Sequence, residues 1–425
     1  MTIEALYNIY LNHPTVQTDT RKLKNGDLFF ALKGANFNGN AFAAKALEQG
    51  AAYCIVDEDT GSDDTRIIKV DDVLMTLQLL AGFHRKQFNI PFIGITGSNG
   101  KTTTKELVHA VLSRAYRTYT TEGNLNNHIG IPLTLLKVKK DAEMAVVEMG
   151  ANHQKEIEGY CKYAFPSHGM ITNIGKAHLE GFGGIEGVKK GKGELFDHLR
   201  ANNGTAFICR DYEYFESMSK NLPHIVWYGS SNADITGHIV SAEPFLKIKV
   251  HDEEIGTINS QLVGAYNFPN IMAAVAIGKY FKVPGIKIRE AIEAYAPGNS
   301  RSQMITKGNR KIVLDAYNAN PTSMKAAIEN FAALEGDKKV LILGGMMELG
   351  EESITEHKSI IDLIAKYQWY KVILVGGDYK KIPHPYINLD NSTEAKSYFK
   401  DADMDNSLIL VKGSRSTFME KVLEE

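Results

Sequence analysis

The stretch that most limits what this chain can become runs over residues 92–103. Phe92-Ile93-Gly94-Ile95-Thr96 reads as a short buried strand. Gly97-Ser98-Asn99-Gly100-Lys101-Thr102-Thr103 reads as a glycine-rich turn, and 101–114 as a helix. That order suits a triphosphate such as ATP. Glycines let backbone N–H groups approach phosphate oxygens, and a helix start adds partial positive charge. The Lys101 ammonium would neutralise β- and γ-phosphate charge, and the Thr102 hydroxyl would ligate Mg²⁺. The competing reading is a plain glycine turn before a helix. One position departs from the general phosphate-loop pattern, because Ile95 stands where its first glycine belongs. A strand delivering such a loop belongs in a parallel sheet covered by helices, so α/β is the expected class.

At 425 residues the chain exceeds one ordinary core. Breaks at Asn89-Ile90-Pro91 and Ala296-Pro297-Gly298 divide it into expected domains 1–90, 91–297 and 298–425. The first is a small α/β unit, the second a phosphate-loop domain and the third a Rossmann-like one. A net charge of −2 leaves no global basic field for nucleic acid or an anionic membrane. The start, Met-Thr-Ile-Glu-Ala, shows no signal peptide, and no apolar run reaches membrane-spanning length. Cys54, Cys161 and Cys209 form no CxxC pair and read as core residues in a reducing compartment. A cytoplasmic, bacterial, monomeric protein is expected.

Within the first segment, Lys24-Asn25-Gly26-Asp27 reads as a hairpin turn leading into a strand over 27–32. A helix over 43–50, a strand over 52–56 and an amphipathic helix over 73–87 follow. In the second, strands over 144–148 and 170–173 continue a parallel sheet. Alternation between about 205 and 260, as in Phe245-Leu246-Lys247-Ile248-Lys249-Val250, reads as antiparallel strands, before a helix over 267–280. The third repeats apolar strands at 312–314, 340–343, 372–375 and 408–411, spaced for a doubly wound sheet with ligand sites at its strand ends.

The loop from Thr96 to Thr103 resembles the ATP loop of the Mur ligases, amide-bond-forming enzymes of bacterial cell-wall synthesis. Other stretches carry the same resemblance. Thr121-Glu122-Gly123-Asn124-Leu125-Asn126-Asn127, with Ile129-Gly130-Ile131-Pro132, is similar to the family's substrate loop, implying contacts at Asn124, Asn126 and Asn127. Glu148-Met149-Gly150 resembles the strand end with its magnesium-binding glutamate. Thr172-Asn173-Ile174-Gly175-Lys176-Ala177-His178 resembles the segment with its magnesium-binding histidine. Lys192-Gly193-Glu194 matches the place of a lysine that the family often carries as a carbamate. The resemblance thus implies Thr102, Glu148, His178 and carbamylated Lys192 as metal ligands, with Lys101, Glu148, His178 and Lys192 catalytic. The residues alone would favour a surface lysine among Lys189 and Lys190, and a structural His178.

Asn267 and Asn270 resemble the family's adenine-side asparagines, with helix capping as the alternative. Arg301 resembles a junction arginine that meets the nucleotide phosphates, although Asn299 and Ser300 separate it from Gly298. Asp315-Ala316-Tyr317-Asn318-Ala319-Asn320-Pro321 implies nucleotide contacts at Tyr317, Asn318 and Asn320. Thr20, Arg21, Lys33 and Gly34 are implied at the pyrophosphate or uridine end of the substrate. Lys412, Ser414 and Arg415 are implied at the substrate too, unless their charges merely cap a sheet edge.

Within the family the likeness is to the branch that adds D-alanyl-D-alanine to UDP-N-acetylmuramoyl-tripeptide through an acyl phosphate, using ATP and Mg²⁺. The D-N-P-R motif of the branch adding the third amino acid is missing. Asn38-Gly39-Asn40 replaces the usual Asp-Gly-His, and Gly344-Gly345-Met346 the usual Gly-Asp-Met. The competing functions are that third-residue ligase, a folylpolyglutamate synthase-like ligase, and a phosphate-loop ATPase or kinase.

Overall fold

The first sheet is four-stranded, parallel and ordered β1-β2-β5-β6: β1 Val16–Gln17, β2 Leu28–Phe30, β5 Tyr53–Val56 and β6 Ile67–Lys69. A small hairpin pairs β3 Lys33–Gly34 with β4 Phe37–Asn38. Three helices cover the sheet: α1 Ile3–Asn12, α2 Ala43–Glu48 and α3 Val73–Arg85. In this computed structural model, residues 1–298 and 300–424 are described, so Asn299 lies outside the described residues. The turn at Lys24–Asp27 forms, with Asp27 N donating to Lys24 O at 3.2 Å. It closes no hairpin, however, because β1 and β2 run parallel. A 3₁₀ turn over Thr20–Lys22 helps carry the chain back to the start of the sheet, which the local turn signal does not reveal.

The middle sheet has nine strands, ordered β15-β14-β13-β12-β11-β10-β7-β9-β8. These are β7 Phe92–Thr96, β8 Thr118–Thr120, β9 Met144–Glu148, β10 His168–Ile171, β11 Thr205–Cys209 and β12 His224–Gly229. β13 Ile235–Ser241, β14 Lys247–Val250 and β15 Thr257–Asn259 complete it. The expectation of antiparallel strands over 205–260 is corrected for half its length. β11 and β12 extend the parallel sheet, and only β13-β14-β15 run antiparallel. The cause is burial: all five residues of β11 are buried beside β10, where a parallel strand belongs.

Helices α4 Lys101–Leu112, α5 Gly130–Leu136, α6 Glu156–Ala164, α7 Leu179–Phe182, α8 Ile185–Ala201 and α9 Tyr214–Met218 follow in chain order. α10 Phe268–Tyr280 and α11 Gly285–Ala294 end the middle domain. Every residue of 270–278 in α10 is buried, since the helix sits between α4 and the sheet.

The last sheet is ordered β16-β17-β21-β18-β19-β20. Its strands are β16 Gln303–Lys307, β17 Arg310–Asp315, β18 Lys339–Gly344, β19 Lys371–Val375, β20 Ile387–Leu389 and β21 Leu408–Lys412. All neighbours are parallel except β16 and β17. Helices α12 Pro321–Ala333, α13 Ser353–Ile364 and α14 Ser392–Asp401 cover it. Leu341 and Leu343 belong to one core, Val340 and Ile342 to another, as the period of two demands when both faces are covered.

The two joints between domains differ. At the first, Tyr10 Oη donates to Leu136 O, His84 contacts Tyr7 Oη at 3.1 Å and Val138 O at 2.8 Å, and Arg85 stacks on Phe92. At the second, polar contacts meet across the seam. Asn320 Nδ2 donates to Asn99 Oδ1 at 2.7 Å, and Lys176 reaches Thr322 and Glu356.

Candidate active site

The phosphate loop owes its shape to two glycines. Gly97 sits at φ +140°, and a Cβ there would lie 2.0 Å from Thr172 Oγ1. Gly100, at φ +78°, would press a Cβ to 2.6 Å from Asn270 Oδ1. Contacts to the segment after β10 fix the loop further. Ser98 N donates to Asn173 O at 2.9 Å and Asn99 N to Asn173 Oδ1 at 3.0 Å. Ser98 Oγ donates to Gly175 O at 3.0 Å, and Gly175 N donates back to Ser98 Oγ at 2.9 Å. Lys101 Nζ curls over the loop, donating to Gly97 O at 2.8 Å and Ser98 O at 3.2 Å. Desolvation lowers the Lys101 pKa; Glu148 opposes that shift and Arg301 adds to it.

Glu148 ends β9 opposite Ile95 of β7, on the same sheet edge as the loop. It is buried, and its Oε1 accepts from Thr102 Oγ1 at 3.0 Å and Asn126 Nδ2 at 2.7 Å. Its Oε2 is buried without a hydrogen-bond partner. A desolvated carboxylate oxygen left over in this way favours a hard cation, and the Thr102 hydroxyl beside it is a second oxygen ligand. The pair therefore fits Mg²⁺. His178, at φ +54°, brings Nδ1 to 2.5 Å from Glu348 Oε2, itself on a residue at φ +61°. The imidazole contact holds the Glu348 carboxyl below the usual carboxylate range, against the desolvation that opposes it. Among the described residues, no three His, Cys, Asp or Glu side chains are grouped to hold a metal. A cation here would thus need hydroxyl or modified-lysine ligands besides Glu148 and His178.

The surface reading of Lys192 is overturned, because the residue is 1% exposed. Its Nζ donates to Ala151 O at 2.8 Å and lies 4.9 Å from the Phe182 ring centroid. Burial, helped by the positive charge of Lys101, holds its pKa well below the usual lysine range. The side chain does not reach the cavity wall, although Ala151 does.

A cavity of about 1010 Å³ opens between the middle and last domains. Ser98, Asn99, Gly100, Lys101, Thr102, Thr103, Asn124, Asn126, Asn127, Glu148 and His178 line one side. Asn267, Asn270, Arg301, Tyr317, Asn318, Lys412, Ser414 and Arg415 line it elsewhere. Several of these already have partners. Asn127 Oδ1 accepts from Ile129 N and Gly130 N, fixing the start of α5. Asn270 Nδ2 donates to Asn267 Oδ1 at 2.8 Å, so these two brace each other. Lys412 is buried and pairs with Asp315 at 2.5 Å, while Arg415 pairs with Glu420 at 2.8 Å. Ser414 Oγ accepts from Met347 N at 3.0 Å. The Arg301 guanidinium stacks 3.5 Å from the Tyr317 ring centroid, with Nε unpartnered.

Gly97 and Asn320 lie behind the lining and act through the loop. Thr20, Arg21, Lys33 and Gly34 are not brought to this cavity. Arg21 is exposed and paired with Asp19, and Lys33 pairs with Asp57 at 3.1 Å and Glu58 at 3.3 Å. The sequence reading missed Tyr212 and Tyr214, stacked rings 5.4 Å apart on the cavity wall, and Glu348. No periodic or motif signal marks the two tyrosines, whose place depends on contacts across the fold, whereas Glu348 stands in Met347-Glu348-Leu349-Gly350, a stretch that carries the same resemblance.

Comparison with known proteins adds three family matches. The Mur ligase middle domain matches residues 95–278, the Mur ligase glutamate ligase domain 300–415, and the Mur ligase family catalytic domain 14–85. The UDP-N-acetylmuramoyl-tripeptide–D-alanyl-D-alanine ligase of Bacillus subtilis is 34% identical over 96% of this chain and 92% of its own. A crystal structure of MurF from Acinetobacter baumannii superposes with a TM-score of 0.88 at 29% identity, covering 99% of this chain and 97% of that one. MurF ligase from Thermotoga maritima, in complex with ADP, gives 0.85 at 27% identity, covering 97% of each chain.

Proposed function

The chain belongs to the Mur ligase family, and from that premise we infer how its cavity carries out the family's reaction. It joins D-alanyl-D-alanine to UDP-N-acetylmuramoyl-tripeptide with ATP, a step of peptidoglycan-precursor synthesis. A carboxylate is a poor electrophile at neutral pH. Transfer of the γ-phosphoryl group of ATP to the tripeptide's terminal carboxylate gives an acyl phosphate and ADP. The free amine of D-alanyl-D-alanine then attacks the acyl carbon, the C–O bond to phosphate breaks, and the nitrogen loses its proton as the amide forms.

The geometry supports the following role for each residue. The 97–100 backbone and Lys101 bind the β- and γ-phosphates, Lys101 exchanging its loop carbonyls for phosphate oxygens. Thr102, Glu148 and His178 would hold Mg²⁺, which when bound supplies charge neutralisation for the transferring phosphoryl group. Lys192 is assigned the carbamate, since burial and the nearby Lys101 charge lower its pKa and so favour the neutral amine that combines with CO₂. Arg301, over Tyr317, faces the nucleotide, with Asn267, Asn270, Asn318 and Asn320 shaping its surroundings. Asn124, Asn126 and Asn127 orient the donor peptide, while Ser414 and Arg415 face the dipeptide beside an Asp315–Lys412 pair. Thr20, Arg21, Lys33 and Gly34, outside the cavity lining, take the uridine diphosphate end.

Domain limits near residues 90 and 298 accord with these roles. A monomer is the proposed working form. Three free, buried thiols accord with a reducing cytoplasm.

The observation that carries this reading is the unpartnered Glu148 Oε2 beside Thr102 and the phosphate loop. The test is phosphate release with UDP-N-acetylmuramoyl-tripeptide, ATP and Mg²⁺, with and without D-alanyl-D-alanine. Release should depend on the dipeptide and vanish in Lys101→Ala, which should still bind the UDP substrate. Equal release without the dipeptide would overturn the reading.

A further inference from the structure

The segment between β10 and α7 touches two domains at once. On one side, Asn173 and Gly175 hold Ser98 and Asn99 of the phosphate loop. On the other, Lys176 N donates to Thr322 Oγ1 at 3.0 Å and Lys176 Nζ to Glu356 Oε1 at 2.5 Å. Thr322 lies in the first turn of α12 and Glu356 in α13, both in the last domain. The Glu356 side chain is 5% exposed and that of Lys176 49%, so a desolvated carboxylate rests on a half-exposed ammonium. With the domains apart, water serves both groups. With the domains together and the ammonium removed, the carboxylate is stranded. The pair therefore favours the closed arrangement specifically. Lys176 stays outside the cavity lining, unlike His178 two residues on.

We propose that Lys176 is a positioning residue for the ligase reaction. Its ion pair with Glu356 locks the last domain onto the segment that shapes the phosphate loop, so that closure and loop geometry are set together. This rests on the ligase reading above, which dipeptide-dependent phosphate release by the unaltered enzyme tests separately.

The experiment compares Lys176→Met, Lys176→Arg and Glu356→Gln with the unaltered chain. Weakened closure lowers the competent fraction, so Lys176→Met and Glu356→Gln should raise KM for ATP and dipeptide roughly tenfold. UDP-tripeptide affinity and Tm should stay as they were, and Lys176→Arg should recover most of the loss. Spin labels on the middle and last domains should report a broader distance distribution in Lys176→Met with a non-hydrolysable ATP analogue bound. Unchanged KM and distances in Lys176→Met would overturn the proposal. So would a parallel loss of Tm and UDP-tripeptide affinity, or no recovery in Lys176→Arg.

Discussion

Lys192 illustrates how side-chain chemistry is set by burial. The run Lys189-Lys190 beside it suggests a solvated helix face. Yet Val188, Lys192, Leu195 and Leu199 share helical spacing, and all four are buried, so the stripe was legible and the charge obscured it. Because burial lowers its pKa, the unfolded chain holds a proton that the folded one lacks between the depressed value and the usual 10.5. Stability therefore rises with pH across that window, and the cost of the buried amine is largest on its acid side. Lys192→Met should abolish turnover yet flatten the rise in Tm between neutral and alkaline pH; melting curves and phosphate release measured together check both. Glu148→Gln keeps the shape and removes the charge, so kcat should fall about 10²–10³-fold. Phosphate-release kinetics check this, with circular dichroism confirming the fold.

Among elements, the strand–loop–helix over Phe92–Leu112 was fully legible, because each part carries its signal within a few residues. Gly97→Ala tests the loop: φ +140° and the clash with Thr172 Oγ1 should cost about 1–3 kcal/mol and ATP binding with it. Urea unfolding and nucleotide titration measure the two effects. The edge from β11 to β15 was less legible, since alternation reports burial and not strand direction. In β10, His168 packs against Phe207, Tyr280 and Phe281, and burial lowers its pKa from 6.5 to about 4. Between those values the unfolded chain takes up a proton that the folded chain refuses. Stability should thus fall as pH drops through the window, by up to about 1.4 kcal/mol per pH unit. His168→Phe should lessen that acid sensitivity in denaturation midpoints taken from pH 7 to pH 4.

Across the whole molecule, the two joints predict different cooperativity. The first is apolar and aromatic, with Tyr10 Oη spending its hydrogen on Leu136 O. Calorimetry should show the first two domains melting together, and Tyr10→Phe should lower that shared transition by about 1–3 kcal/mol for the stranded carbonyl. The last domain has a second core on one face of its sheet, while the other face joins the core shared with the first two domains, and a bound ATP analogue should raise its melting. None of this division was legible from the chain's sequence. Breaks at Pro91 and Pro297 look alike in sequence, and only the facing surfaces tell a fixed joint from a working one.

The seam bridged by Asn320–Asn99 and Lys176–Glu356 has a consequence for how the molecule survives its own catalysis. Each cycle must part these faces to exchange nucleotide and product. Were they greasy, every opening would offer a neighbouring copy something to stick to. The groups that bridge this seam are instead amides, hydroxyls and charges that water can take up while the domains are apart. Parting them exposes donors and acceptors that solvent satisfies, which leaves a neighbouring copy little to hold.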